Sequence, residues 1–174
     1  MSESPLDLLW TGWRNTYVTS GAAGGGVAPG DARSVFTRIL ESSLTDEESF
    51  IVHRGDTCFA ILNRYPYSTG HTMVLPYREI RDLEDLTAVE HAELWAMVTD
   101  AVRALKAAYS PDAMNVGINL GAAAGGSIAQ HLHVHLVPRW NGDSNFMTAT
   151  AYTRTIPEAL PDTWAKVRAG WPRP

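Results

Sequence analysis

The sequence predicts an α+β domain, an antiparallel meander sheet of about five strands packed with one long amphipathic helix. Three observations carry that expectation. Short β-prone runs at 50–53, 57–62 and 71–76 follow one another across turn signals. Thr87-Ala88-Val89-Glu90 is a capping box that opens a stretch of helical periodicity. Beyond it, two more β-prone runs at 114–120 and 131–137 flank a glycine-rich connection.

Taken in order, residues 1–32 are an N-terminal arm with a flexible loop, and 33–174 are a single domain with a C-terminal extension. The arm carries Trp10 and Trp13, and Ser20 to Gly30 is too rich in glycine to hold a regular element. A phosphate-cradling glycine loop is the other reading of that stretch, but it needs a preceding strand, and none is evident. Phe50-Ile51-Val52-His53 and Thr57 to Leu62 form a hairpin about Arg54-Gly55-Asp56, and Tyr65 to Gly70 turns the chain into His71 to Pro76. In the helix, Val89, Ala92, Trp95, Val98, Val102 and Leu105 recur at helical spacing until Ser110-Pro111 stops it.

The composition limits the function classes. With 14 Lys plus Arg against 19 Asp plus Glu, the net charge is −5 and no basic cluster stands out, which argues against a nucleic-acid polymer as partner. A hydrophobic share of 45% excludes global disorder. No window approaches the roughly 18 apolar residues of a membrane span, and residues 1–20 lack the basic start and apolar run of a signal peptide. Cys58 is the single cysteine, so neither an intrachain disulfide nor a Cys-pair zinc ribbon can form, and a reducing cytoplasm fits.

The chemistry concentrates in His131-Leu132-His133-Val134-His135-Leu136-Val137. On a strand, alternate side chains share a face, so His131, His133 and His135 point one way and the aliphatics the other. Two uses follow: imidazoles two residues apart can share a metal ion, or one can serve as nucleophile. Spacing alone leaves both open.

The same seven residues resemble the signature of the histidine-triad (HIT) nucleotide hydrolases and transferases, His-φ-His-φ-His-φ-φ with φ apolar, at every place. Phe59 to Arg64 followed by Gly70 to Pro76 resembles the family's nucleoside-binding strand pair, and Asn119 to Ser127 its phosphate loop. Trp10, Trp13, Asn63-Arg64-Tyr65-Pro66-Tyr67, Asn115 to Gly121, Gly125-Gly126-Ser127 and Pro138-Arg139-Trp140 resemble one branch, the actinobacterial diadenosine tetraphosphate phosphorylases.

The resemblance implies a HIT-like fold with short terminal helices and nucleotidyl transfer at the α-phosphate of a dinucleoside polyphosphate. In that branch the reaction is phosphorolysis of diadenosine tetraphosphate to ADP and ATP. The family pattern puts the nucleophile on His133, whose other ring nitrogen should donate to a backbone carbonyl and leave a lone pair facing phosphorus. His131 and His135 would donate to phosphate oxygens or the leaving group, and Gly126, Ser127 and Asn119 would stabilise the crowded transition state. Asn63 suits a ribose diol, or is simply a turn residue ending its strand. Phe59, Ile61 and Met73 can sandwich a base or form plain core, and His71 lines the nucleotide pocket or caps its strand. Trp140 is a base-stacking platform or a packed aromatic, and the branch resemblance favours the platform.

Departures from the family pattern bear on metal and substrate. Where many relatives carry Cys-x-Phe-Cys, whose thiolates hold zinc, this chain has Ser34-Val35-Phe36-Thr37, so no protein-bound zinc or other cofactor is expected. Mg²⁺ can still accompany the substrate for charge balance. Ala122-Ala123-Ala124 and Gln130 stand where more polar residues and Glu are usual in the branch. They leave room for a hydrolase of dinucleoside polyphosphates or nucleoside phosphoramidates, or for a member recruited to another nucleotide-linked pathway. A non-catalytic nucleotide-binding module has no chemical reason to keep His133. The expected partners are an adenine nucleotide, orthophosphate and a second copy of the chain. The homodimer would form through the long helix, with Trp95 and Val98, and the adjoining strands, and the Trp10/Trp13 arm could extend it to a tetramer.

Overall fold

Hydroxyl side chains start both of the first two helices. Ser34 caps α1 (Val35–Leu40), its Oγ accepting from the Thr37 N–H, and a Thr45–Glu48 capping box opens α2 (Asp46–Ser49). The structure is a computed structural model that describes residues 33–125, 128–143 and 158–173. One unit of the chain comprises 33–140 and 156–174; the other takes 1–32 and 141–155, of which only 141–143 are described. Trp10, Trp13, the glycine-rich loop, Gly126 and Ser127 thus lie outside the described residues.

The sheet consists of β1 (Ile51–Arg54), β2 (Cys58–Leu62), β3 (Thr72–Pro76), β4 (Ala113–Ile118) and β5 (Val134–Arg139). Their order is β1-β2-β3-β5-β4, and every neighbouring pair is antiparallel. The first three strands form a meander. The long helix α3 (Ala88–Tyr109) then carries the chain to the far edge as β4, and β5 returns between β4 and β3, so the strand that carries His135 is an interior one. The last helix, α4 (Leu160–Ala169), packs on α3 and β1.

Alternation along the strands divides the core in two. Val52, Cys58, Ala60, Leu62, Val74, Val134 and Leu136 face α3. Ile51, Phe59, Ile61, Met73 and Leu75 face the other way, where Phe36 of α1 covers them. A fully buried aliphatic or aromatic side chain contributes about 1.5–3 kcal/mol, so each layer stabilises the sheet substantially.

The buried stripe of α3 differs from the one its apolar spacing predicts. Leu94, Met97, Val98, Ala101, Ala104 and Leu105 are buried, whereas Val89, Ala92 and Trp95 are exposed. Small Ala101 and Ala104 let the helix approach the sheet, and this close fit outweighs the larger apolar residues on the neighbouring stripe. Both ends behave as the sequence suggests: Thr87 and Glu90 complete the capping box, and Ser110 ends the helix in the left-handed region before Pro111.

The strand predicted over 131–137 also starts later than expected, at Val134. Its ladder with β3 covers only Val134–Leu136 opposite Thr72–Val74. Continuing that register would set Leu132 opposite Pro76, which has no N–H to donate. The Leu132 N–H donates instead to the Ile80 carbonyl at 2.6 Å. His131 and His133 therefore lie on the segment that leads into the strand, outside its ladder with β3.

Candidate active site

The site is built around His133, just before β5 begins. Its side chain is 6% exposed, and its Nδ1 lies 2.7 Å from the carbonyl oxygen of His131. A carbonyl only accepts, so Nδ1 carries the proton and Nε2 keeps its lone pair. Burial pushes the imidazole below its usual range, opposed by the hydrogen bond to the His131 carbonyl. His133 is neutral near pH 7, the form a nucleophile requires.

His135, two residues on, belongs to β5 and pairs with Met73 of β3. Its ring meets that of His133 edge-on with centroids 4.7 Å apart, and its Nδ1 lies 3.0 Å from His71 Nε2. His71 Nδ1 accepts from the Tyr67 N–H at 3.1 Å and faces Asn63 Nδ2 at 3.4 Å. His71 must then carry its proton on Nε2 and donate it to His135 Nδ1, leaving the His135 proton on Nε2. Gly70 makes this delivery possible. Its φ is +81°, and Leu105, Tyr109 and Pro138 would crowd a Cβ at that position.

Contacts inside the protein engage most of the other residues that the sequence singles out. His131 is 1% exposed, with Nε2 2.8 Å from the Pro76 carbonyl and Nδ1 2.7 Å from Ser34 Oγ, so both nitrogens are committed inside the protein and neither is directed at a phosphate. His71 is equally buried and acts on His135 rather than lining an open pocket. Asn63 Oδ1 accepts the Tyr65 N–H at 2.9 Å, a turn contact. Phe59, Ile61 and Met73 form core on the histidine-bearing face, with Phe59 stacked on Tyr77. Trp140 is half-buried, with its ring edge-on to Tyr109 of α3 at a centroid distance of 6.5 Å. Asn119 follows β4 directly, on the segment leading to the 3₁₀ turn Ala122–Ala124.

The sequence reading missed Tyr67, Phe36 and Glu79 as neighbours of the triad. Tyr67 lies against both His71 and His135, with ring centroids at 4.5 and 6.0 Å. Phe36 contacts His131 and His133 at 5.5 and 5.6 Å. The signal for Phe36 was its place in a capped apolar run beginning at Ser34; Glu79 gave none.

The donor set around His131 does not fit zinc. It consists of two hydroxyls and one carboxylate, already bonded to one another and to the ring. Among the described residues, no three His, Cys, Asp or Glu side chains gather as they would for a metal ion.

A five-stranded antiparallel sheet presenting a buried, tautomer-locked histidine beside a second one defines a histidine-triad protein. The HIT domain model matches residues 45–142, and the chain belongs to that family. It is 44% identical over 97% of its length to the AP-4-A phosphorylase of Mycobacterium tuberculosis, covering 86% of that protein. It is also 34% identical, over 55% of its length and 52% of the relative, to the asymmetrical bis(5'-nucleosyl)-tetraphosphatase of Schizosaccharomyces pombe. Among solved structures, a HIT-like protein involved in cell-cycle regulation from Bartonella henselae superposes with a TM-score of 0.66 at 26% identity, over 80% of this chain and 97% of that one. No helix among the described residues is long and apolar enough to cross a membrane.

Proposed function

We propose that this chain is a cytoplasmic nucleotidyltransferase that phosphorolyses diadenosine tetraphosphate to ADP and ATP through a covalent nucleotidyl-His133. The observation that carries the reading is the His133 Nδ1 contact with the His131 carbonyl, which leaves Nε2 as a bare nucleophile. The likeness to the mycobacterial phosphorylase supports the substrate and the acceptor.

In the first step, Nε2 bonds to the α-phosphorus as the α–β bridging P–O bond breaks, His133 becomes a nucleotidyl-imidazolium, and ATP leaves as an anion whose departing oxygen accepts a hydrogen bond from His135 Nε2. In the second, an oxygen of hydrogen phosphate attacks the same phosphorus, the P–N bond breaks with its electron pair returning to His133 Nε2, and ADP departs with the proton the phosphate brought. Asn119, Gly126 and Ser127 are assigned to the phosphate groups, since small residues with close backbone N–H groups suit an anion. The protein works without bound zinc.

Labelled orthophosphate tests the acceptor. Label should enter the β-phosphate of ADP, and Ser127→Ala should weaken the phosphate dependence more than nucleotide binding. AMP accumulation without incorporated label would favour hydrolysis, the activity named for the fission-yeast relative.

The working form is a homodimer. β4 is one of the two edge strands of the sheet, with Val116 and nearby Leu120 exposed, and Trp95 is exposed on α3. Sedimentation at micromolar concentration should give twice the 19.0 kDa chain mass, and a monomer would refute this.

A further inference from the structure

Behind His131, away from the reacting nitrogen of His133, four side chains form one run of hydrogen bonds. His131 Nε2 donates to the Pro76 carbonyl at 2.8 Å, so in the neutral ring Nδ1 can only accept. Its partner is Ser34 Oγ at 2.7 Å, a fully buried hydroxyl. Ser34 Oγ in turn accepts the Thr37 N–H at 3.1 Å as the cap of α1. Thr37 Oγ1 donates to Glu79 Oε2 at 2.5 Å, and the same oxygen accepts the Ser34 backbone N–H at 3.0 Å.

The carboxylate sets the direction of the run. Burial would raise the Glu79 pKa, but the bonds from Thr37 and Ser34, with His131 nearby, outweigh it and hold the group below the usual carboxylate range. An ionised Glu79 takes the Thr37 hydroxyl proton. That proton is then unavailable to Ser34, whose own proton goes to His131. Ring and cap are thereby locked together across 97 residues of sequence. The backbone carbonyl of this clamped residue is the atom that accepts the hydrogen bond from His133 Nδ1–H.

We propose that Glu79 is a positioning residue for nucleotidyl transfer, acting through Thr37 and Ser34 to hold His131 and, through its carbonyl, the tautomer of His133. This rests on the reading of His133 as nucleophile. Nothing in the run touches substrate, so its loss should act on turnover rather than on binding.

The test combines kinetics with imidazole nitrogen NMR on the full chain. Glu79→Gln and Thr37→Val should lower kcat for dinucleotide turnover on the order of tenfold, short of the roughly 10²-fold that a misplacement of about 1 Å can cost, with KM nearly unchanged. Thr37→Ser, which keeps the hydroxyl, should restore the native rate. In the resting native protein the nitrogen spectrum should show His133 protonated on Nδ1, and in Thr37→Val a mixture of the two tautomers. Folded variants with native kcat and a native His133 spectrum would overturn the proposal. So would a loss of activity with a native spectrum that Thr37→Ser fails to rescue, since that pattern belongs to a purely structural role. A native protein that turns over no dinucleoside polyphosphate would overturn the nucleophile reading instead, and the spectra, taken without substrate, would still judge the hydrogen-bond run.

Discussion

His71 Nε2 lies 3.0 Å from His135 Nδ1, and the direction of that hydrogen bond is set from behind His71. The Tyr67 backbone N–H points at His71 Nδ1, which forces the His71 proton onto the opposite nitrogen and the His135 proton onto Nε2. A turn in the connection between β2 and β3 thereby decides which nitrogen of a histidine on an interior strand can donate a hydrogen bond.

Removing His71 should therefore weaken the hydrogen bond from His135 Nε2 to the leaving group. His71→Phe should lower kcat by about 10²-fold, at the lower end of what one positioned donor to a developing oxyanion contributes. His71→Gln, which keeps a donor near His135, should recover part of the loss. Steady-state rates with leaving groups of graded acidity check this: the defect should shrink as the leaving group becomes more acidic. A uniform defect across the series would contradict it.

The two buried triad histidines should separate chemistry from stability. His133→Ala should abolish turnover, and acid quenching of the native reaction should lose its acid-labile nucleotidyl adduct in that variant. His131→Ala leaves the Ser34 hydroxyl and Pro76 carbonyl without their ring partner, and an unsatisfied buried polar group costs about 1–3 kcal/mol. Denaturant melts should show this loss for His131→Ala and a smaller one for His133→Ala.

Much of this arrangement was legible in the sequence, for identifiable reasons. The alternation in His131 to Val137 tracks the two faces of the sheet because Val134 and Leu136 must meet α3. Thr87 and Glu90 announced α3 because a capping box is a local, self-contained hydrogen-bond pattern. What stayed hidden depends on contacts between distant residues. The burial of Ala101 and Ala104 in preference to Val89 and Trp95 reflects how closely helix and sheet approach, which apolar spacing does not encode. The role of His131 inverts for the same reason: its partners Ser34 and Pro76 are 97 and 55 residues away, and no spacing rule joins them.

Arg78 and Glu90 provide a test of the frame that holds α3. Arg78 bonds both Glu90 carboxylate oxygens, through Nε at 2.9 Å and Nη2 at 2.7 Å, while Glu90 also closes the capping box with the Thr87 N–H. The Arg78 hydrogen bond, against the cost of burial, pulls the Glu90 pKa down to about 2 from a usual 4.5. Glu90→Gln should cost roughly 1.5–3 kcal/mol, the range for hydrogen bonds to a charged group. The native advantage is fully present above pH 4.5 and fades as pH falls toward about 2. Melts of the two proteins should therefore differ at neutral pH and converge in acid; a constant difference would refute the assignment.

The last prediction concerns pH and the two buried imidazoles. Burial leads the lowering of both His131 and His133 below 6.5, so the folded protein prefers them neutral while the unfolded chain protonates near 6.5. Between the lowered values and 6.5 the unfolded state binds more protons, and stability must rise with pH across that window. Below it both states are protonated and the slope from these groups vanishes; above it both are neutral. Activity follows the same sign, because a protonated His133 has no lone pair for phosphorus. The acid limb of kcat/KM should therefore fall below pH 6.5, and melting temperature should climb with pH over the same interval. His131→Phe, which removes one of the titrating groups and keeps a ring, should flatten the stability slope without moving the acid limb above 6.5. An acid limb centred above 6.5 in the native protein would mean that the group controlling turnover is exposed or paired with a carboxylate, and would rule out His133 as that group.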